Sequence, residues 1–188
     1  MKRSWDEWAL CFIVFSMIGW CYEVAIMYLE FHQGFVNRGF LYGPWLPIYG
    51  IGGVFILLLF ERVRERRLAI GKISFAPLVC FLLICLLTTA LELGSSYLVE
   101  RFVGHTLWDY RGTGYGPTFQ GRIALRSSLQ FGVIGMVMLY GIEPLMRILT
   151  AAVKRKCRIM YWVFFVMLSG LFLVDLGYHV MHGSHAMW

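Results

Sequence analysis

Three acidic residues, Glu23, Glu92 and Asp175, lie inside long apolar stretches of this sequence. Each lies six residues before the end of its stretch, which corresponds to about 9 Å if the stretch is helical. A charged side chain that faced lipid at such a position would cost roughly 2.5–3.5 kcal/mol on an insertion scale. Ionisable groups in a membrane therefore usually face one another or a water-filled cavity. We predict that the three carboxyl groups meet in a polar site in the outer half of the helix bundle, and that this site binds a small solute or an ion.

Basic side chains accompany these acids. Arg122 and Arg126 are four residues apart at the start of the fourth apolar stretch, which predicts that both lie on one face of a helix. They would balance the acids or bind an anionic group, so the sign of the ligand's charge stays open. The other residues that we predict to contact the ligand are Asn37, Arg38, Tyr42, Asp109 and Gln120. The alternative is that the charges form structural ion pairs that fix helix packing.

The elements that must position these residues are five apolar stretches. The chain is 59% hydrophobic and 15% charged, whereas a soluble domain carries roughly a quarter charged residues. A membrane-spanning helix needs about 20 apolar residues, and the stretches that qualify are 8–29, 45–60, 75–98, 123–145 and 160–181. We predict an all-α, polytopic membrane bundle of five transmembrane helices that forms one integral membrane domain over residues 1–188.

Basic residues predict the orientation of this bundle. Most of the 17 Lys and Arg residues lie near the N-terminus and in the loops 61–72 and 146–158, and such loops face the cytoplasm. The N-terminus is then cytoplasmic, and after five membrane crossings the C-terminus lies outside the cell. We predict that the membrane is the inner membrane of a bacterium. The net charge of +6 thus indicates contact with anionic lipid headgroups rather than with nucleic acid. Asp6, Glu7 and Glu23 argue against a cleaved signal peptide.

Two predicted outer loops are rich in Gly, Pro and aromatic residues. The first reads N-R-G-F-L-Y-G-P-W-L-P from residue 37, and the second, 99–121, contains W-D-Y and Y-G-P-T-F-Q-G. Non-helical backbone at membrane depth is tolerated where it lines a cavity or is buried in protein. We predict that both loops are re-entrant or interfacial segments over the polar site, and that Asp109 pairs with Arg111. The glycines at 50–53 also suit close helix packing.

The chain has features of an internal duplication. Glu23 and Glu92 are each followed by a Tyr-Leu pair, an acid and a Phe, and each downstream loop contains Tyr-Gly-Pro. These similarities predict parallel repeat units 8–60 and 75–145 with a fifth helix, 160–181, appended. Coincidence in a chain with 20 glycines and 10 tyrosines is the alternative.

Motifs for catalysis and cofactors are not evident. No serine or cysteine lies in a nucleophile motif, and Gly71-Lys72 is followed by Ile73, so the phosphate-binding motif of ATPases is absent. We assign no catalytic residue and no cofactor; the question of enzyme activity stays open, although we expect none. His179, His182 and His185 are weak candidates for metal ligands at the C-terminal end, and we predict no metal site. We expect the five cysteines to be free thiols.

Several motifs are similar to those of one known family. They are G-W-C-Y-E at 19–23, V-N-R-G-F-L-Y-G-P-W-L-P-I-Y-G-I-G at 36–52, L-E at 91–92, W-D-Y at 108–110, G-R-I-A-L at 121–125 and S-L-Q-F-G at 128–132. Over about residues 8–145 the chain resembles the prokaryotic membrane proteins called putative ABC-transporter type IV, or CmpB-like. The family often has Phe-Asn before G-R-I, where this chain has Phe119-Gln120. Glutamine keeps the side-chain amide of asparagine but places it on a longer side chain.

The resemblance implies a permease-like component. We expect a small transport subunit. A separate ATPase or other subunit would contact its basic cytoplasmic loops. Membrane lipids are further expected partners, and the chain could also form a homodimer. One alternative is a membrane-embedded enzyme that acts on lipid or lipid-linked substrate in the outer leaflet, using carboxylates with His105 or His179. Another is a structural or regulatory subunit without a ligand.

Overall fold

The described part of the chain is 78% helical, as predicted. A computed structural model describes residues 3–29, 32, 34–35, 37, 41–65, 69–70, 73–106 and 108–182. The helices are α1 Trp5–Leu29, α2 Pro47–Glu65, α3 Ala76–Val103, α4 Leu125–Met136, α5 Glu143–Lys156 and α6 Arg158–His182. The two short hairpins pair β1 Ala69–Ile70 with β2 Ile73–Ser74, and β3 Thr118–Phe119 with β4 Ile123–Ala124.

Four helical segments in the described part of the chain are long and apolar enough to cross a membrane. They are Trp5–Leu29, Ala76–Phe102, Leu125–Lys156 and Arg158–His182. They correspond to the first, third, fourth and fifth predicted spans. The predicted second span is the 19-residue helix α2, whose last turn carries Glu61, Arg62, Arg64 and Glu65. The crossing of α2 stays a prediction.

The fourth predicted span continues further than its apolar stretch. A π-helical turn, Val137–Ile142, joins α4 to α5, and helix continues to Lys156. The expected loop at 146–158 is therefore wrong. Pro144 lies in the first turn of α5, directly after the π-helical turn, and its missing amide donor removes one hydrogen bond from the continuous helix. A π-turn leaves carbonyls without regular helical partners, and Arg64 Nη1 donates to the Leu139 carbonyl at 2.6 Å.

The chain divides into two compact units. The first unit consists of Met1–Phe55 and Ile142–Trp188, and the second of Ile56–Gly141. In the first unit, α1 packs against α5 and α6. One apolar cluster of this unit contains Leu10, Tyr161 and Phe165, and another contains Ile13, Leu41, Trp45 and Phe172.

Ionic contacts hold the start of α1 beside α5 and α6 in the first unit. Lys154 Nζ donates to Asp6 at 2.7 Å and to Glu7 at 2.8 Å, and Tyr161 donates to Asp6 at 2.5 Å. The first turn of α1 and the α5–α6 junction therefore lie together, as expected if both are on one side of the membrane.

A second ionic group of the first unit surrounds Glu143, whose side chain is only 1% exposed. Arg3 forms an ion pair with its carboxylate, and Arg147 Nε donates to it at 2.8 Å from the next turn of α5. Two guanidinium groups thus compensate one buried acid, which would otherwise be costly.

The start of α2 packs closely on α1. The Leu46 amide donates to the Ser16 carbonyl at 2.9 Å. A Cβ atom added at Gly50 would lie 2.3 Å from Ser16 Oγ and 2.6 Å from the Phe12 carbonyl oxygen. Gly50 therefore allows the two helices to approach as closely as they do, which agrees with the predicted packing role of this glycine-rich segment.

In the second unit, α3 and α4 form the main helix pair. Ile84 of α3 is fully buried and lies against Gly135 of α4. Thr89 donates to Ser128 at 2.7 Å, so a polar contact also crosses the pair. The β3–β4 hairpin precedes α4 and contacts both helices through β4. This arrangement places the loop before α4 over the end of α3.

Candidate functional site

The second unit contains a carboxyl group that is only partly satisfied. Glu92 Oε1, on α3, accepts hydrogen bonds from Tyr110 at 2.7 Å and from Ser127 at 3.0 Å. The two hydroxyl groups are also 3.1 Å from each other. Glu92 Oε2 is buried and has no hydrogen-bond partner among the described residues. We call Glu92, Tyr110 and Ser127 the Glu92 cluster.

The motifs W-D-Y and G-R-I position Tyr110 for this contact. Trp108 Nε1 donates to the Arg122 carbonyl at 2.9 Å, and the Tyr110 amide donates to the Gly121 carbonyl at 2.8 Å. Gly121 has a φ of 72°, and a Cβ there would lie 2.3 Å from Asp109 Oδ1. Glycine is thus required both by the backbone conformation and by space. The two motifs fold as one unit that directs the Tyr110 hydroxyl to Glu92.

Asp109 and Arg111 form the predicted local ion pair at this loop. Arg111 Nε lies 2.8 Å from Asp109 Oδ2, and the Arg111 amide donates to Oδ1 at 2.9 Å. Hydrogen bonds from the Arg111 side chain and amide hold the pKa of Asp109 at about 2. Both side chains are exposed, so the pair is at the solvent-facing edge of the loop and is ionised at neutral pH.

The expectation that Arg122 and Arg126 share a helical face is wrong. Helix α4 begins at Leu125, and Arg122 lies in the turn between β3 and β4. Gln120 and Gly121 both adopt positive φ, which closes a hairpin and interrupts helical geometry. Arg122 donates to Ser96 at 2.8 Å and also forms an ion pair with Glu100.

Aromatic rings surround the other predicted ligand groups of the second unit. The Arg126 guanidinium lies 5.0 Å from the centroid of the Tyr115 ring, and that ring stacks on Tyr110 at 5.5 Å. Gln120 Oε1 accepts a hydrogen bond from Tyr97 at 2.5 Å. Two stacked tyrosines therefore connect Arg126 with the Glu92 cluster. Gln120, in the turn of the hairpin, instead contacts Tyr97 of α3.

In the first unit, Asp175 of α6 is held by donors from residues 41–46. Its two oxygens accept hydrogen bonds from the Tyr42 amide at 3.1 Å, the Gly43 amide at 2.8 Å and Trp45 Nε1 at 2.7 Å. A carboxylate bound by several N–H donors is well compensated. We call this arrangement the Asp175 latch, since it joins the segment 42–45 to α6.

Neighbouring predicted residues support the same segment. Asn37 Nδ2 donates to the Tyr42 carbonyl at 3.2 Å, and Trp20 Nε1 donates to Asn37 Oδ1 at 2.7 Å. Glu23 accepts a hydrogen bond from Tyr49 at 2.5 Å. Arg38 lies outside the described residues. Glu23, Asn37, Tyr42 and Asp175 belong to the first unit and the remaining described candidates to the second; a site common to both stays a prediction.

The described C-terminal histidines contact aromatic rings. His179 is buried, with its ring 6.3 Å from that of Tyr42, and the His182 ring stacks on Tyr178 at 4.1 Å. His185 lies outside the described residues. Among the residues that the structure does describe, no group of three or more His, Cys, Asp or Glu side chains could hold a metal ion.

Sequence reasoning missed the uncharged members of these sites. Ser127, Tyr110, Tyr49 and Trp45 supply hydrogen bonds to the three intramembrane acids. Tyr110 and Trp45 were visible within the W-D-Y and G-P-W motifs. For Ser127 no signal was available, because a serine at the start of a helix is common.

The comparisons with known proteins agree with the motifs. The model of the family described as "Putative ABC-transporter type IV" matches residues 10–180, which extends the predicted similarity from 8–145 into α6. No curated protein and no solved structure matches the chain. With four membrane-length apolar helices, the chain is a membrane protein connected with transport. It belongs to the putative ABC-transporter type IV family.

Proposed function

We propose that this protein is a small permease-like transport component that binds a small solute or ion at the Glu92 cluster. The observation that carries this proposal is Glu92 Oε2, a buried carboxyl oxygen without a partner in the described chain. It lies within a membrane-length apolar helix. Buried polar atoms are almost always satisfied, and ionisable groups inside membranes usually mark a transport path.

The geometry around Glu92 suits reversible binding. Two hydroxyl groups orient one carboxyl oxygen and leave the other available to a ligand. Tyr110 belongs to a loop whose neighbouring residues, Asp109 and Arg111, are exposed. A displacement of this loop would therefore open Glu92 to water. The Asp175 latch would hold the corresponding loop of the first unit in place.

The proposed setting is the inner membrane of a bacterium, with a cytoplasmic N-terminus. The phosphate-binding motif of ATPases is absent from this sequence, so a separate subunit would supply ATP hydrolysis in an ATP-driven system. Such a subunit would contact the basic ends of α2 and α5, which carry Arg62, Arg64, Lys154, Arg155 and Lys156. Lipids and a second copy of the chain are further proposed partners.

Flux through vesicles that contain the purified protein tests the proposal. The probes are H⁺, followed with an internal pH dye, and isotopically labelled Na⁺, K⁺ and acetate. We expect wild-type vesicles to move at least one probe faster than empty vesicles, and Glu92→Gln to reduce that rate at least tenfold. The matched control is Glu65→Gln, which removes an exposed carboxylate and should leave the rate unchanged.

Two results would overturn the proposal. One is a folded Glu92→Gln protein that moves the same probe at the wild-type rate. The other is a wild-type protein that moves none of the four probes, with or without the proteins that co-purify with it. That second result, together with a chemically altered lipid after incubation, would favour the membrane-embedded enzyme instead.

A further inference from the structure

We propose that the ion bound at the Glu92 cluster is a proton, so that Glu92 alternates between a neutral carboxylic acid and a carboxylate. This inference rests on the proposed function and names the ligand of the same site. It follows from the number and kind of groups that surround the carboxyl group.

The hydrogen bonds of Glu92 fit a neutral acid better than an anion. A carboxylate needs donors on both oxygens, but only Oε1 has them, and both donors are uncharged hydroxyl groups. A buried and partly unsatisfied anion is among the most costly groups in a membrane. With a proton on Oε1, the acid can donate to the hydroxyl oxygen of Tyr110 or Ser127, since a hydroxyl group is an acceptor as well as a donor. Only a carbonyl oxygen then lacks a partner.

The charged groups around the cluster are occupied by other residues. On α3 and the hairpin, Glu100 pairs with Arg122, and on the loop Asp109 pairs with Arg111. Arg126 of α4 lies against the Tyr115 ring. Within the described part of the chain, Glu92 itself forms no ion pair. The described residues therefore provide no counter-charge in an ion pair with Glu92, and a bound proton would supply the neutralisation.

A divalent metal cation fits this cluster poorly. Ca²⁺ and Mg²⁺ require about six or more oxygen ligands, whereas the cluster assembles one carboxyl group and two hydroxyl groups. Among the described residues, no group of three or more His, Cys, Asp or Glu side chains could hold a metal ion. A proton requires only the carboxyl oxygen and one acceptor, and both are present. The transfer is simple binding, in which the carboxylate and a proton from water combine to form the acid and separate again.

The test measures protonation directly on the full-length protein in lipid. Infrared spectroscopy reports the carbonyl stretch of a protonated carboxylic acid, and we expect that band in the wild-type protein at neutral pH. It should disappear in Glu92→Gln and remain in the control Glu65→Gln. An apolar carbodiimide, which reacts with protonated carboxyl groups in apolar surroundings, should modify Glu92, and mass spectrometry should show that the modification decreases as pH rises.

Variants of Tyr110 and Ser127, the two hydroxyl partners of Glu92, test its protonation independently. Removing a donor disfavours the carboxylate, so Tyr110→Phe or Ser127→Ala should extend carbodiimide modification of Glu92 to more alkaline pH. A substitution that only loosens the fold would instead alter modification at all pH values alike. The carbodiimide measurement on the wild-type chain needs no variant, which keeps the test valid if Glu92→Gln fails to fold.

The outcomes separate this inference from the proposed function. If Glu92 is ionised throughout and is not modified by the carbodiimide, the proton assignment is overturned, even if ion flux depends on Glu92. If Glu92 is protonated and modified as expected but flux is unaffected by Glu92→Gln, the proton site stands and the transport proposal is overturned. If modification is independent of pH, reversible protonation is overturned.

Discussion

At the scale of single residues, Asp175 shows how a membrane-embedded acid is compensated without a cation. Two backbone amides and one indole N–H, all from residues 41–46, donate to its carboxylate. Hydrogen bonds to a charged group contribute roughly 1.5–3 kcal/mol each. The position of this segment on α6 therefore depends strongly on one side chain.

Asp175→Asn is expected to release the segment from α6. Asparagine keeps the size of the side chain but offers one acceptor in place of two, and it removes the charge. We expect the Tyr42 and Gly43 amides to exchange hydrogen at least tenfold faster, as measured by mass spectrometry on peptides covering 41–46. Glu65→Gln is the control. Unchanged exchange in the Asp175 variant would show that the apolar contacts of Trp45 hold the segment by themselves.

The depth of Asp175 in its apolar stretch was readable from the sequence, but its partners were not. A carboxyl group inside a span indicates some compensation, and arginine is the partner that a sequence offers most readily. Backbone amides carry no signal in the sequence, because their direction depends on the local loop conformation. Glu92 was likewise identified from its apolar stretch, whereas its partner Ser127 was not, because a serine at the start of a helix is common.

At the scale of helices, the contact of α2 with α1 depends on Gly50. The space that a side chain would need is occupied by Ser16 and the Phe12 carbonyl. Gly52, two residues further along α2, has no atom within 4 Å of such a Cβ. The same helix thus contains one glycine that packing requires and one that it does not.

This difference predicts opposite effects of the same substitution. Gly50→Ala should destabilise the protein by about 1–3 kcal/mol, because a methyl group forces α1 and α2 apart. Gly52→Ala should be neutral or stabilising by up to about 1 kcal/mol, since alanine is the better helix former. Thermal unfolding in detergent, followed by circular dichroism, measures both. Equal shifts for the two variants would contradict the close packing at Gly50.

Replacing Glu143, the buried acid of α5, is also expected to lower stability. Glu143→Gln leaves Arg3 and Arg147 without their shared carboxylate, and breaking a buried ion pair costs about 3–5 kcal/mol. We expect a much lower unfolding temperature than for Arg155→Gln, which removes an exposed charge. If the two variants unfold at the same temperature, the ionic group around Glu143 does not anchor the start of α1.

Hydrophobicity predicted the helices but not how they end. Apolar stretches of about 20 residues were sufficient to identify the four membrane-length helices. The extension of helix to Lys156 could not be read from hydropathy, because α5 is amphipathic and polar residues there still favour helix. Arg122 was assigned to a helix on spacing alone. Positive φ at Gln120 and Gly121 overrides that pattern, and only the second of these residues is a glycine.

At the scale of the whole molecule, the proposed orientation can be tested with Cys157. This cysteine is exposed at the α5–α6 junction, which the positive-inside rule places in the cytoplasm. In a variant that keeps Cys157 alone, a membrane-impermeant thiol reagent should label inverted vesicles and not intact cells.

A matched variant carries the single cysteine in the second loop. With Thr106→Cys and all five native cysteines replaced, the same reagent should label intact cells. Opposite labelling of the two positions requires a membrane crossing by the helix between them. Labelling of Cys157 from outside the cell would contradict the orientation, and labelling of both positions from one side would contradict the number of crossings.

The pairing of Asp6 with Lys154 joins residues 148 positions apart, which has a consequence for biosynthesis. Helix α1 leaves the ribosome first, but the groups that compensate its acids emerge only with α5 and α6. During translation the first turn of α1 must remain solvated or be held by the insertion machinery until the last helix arrives. A chain truncated before Lys154 would lack this partner permanently, and we expect cellular quality control to degrade it.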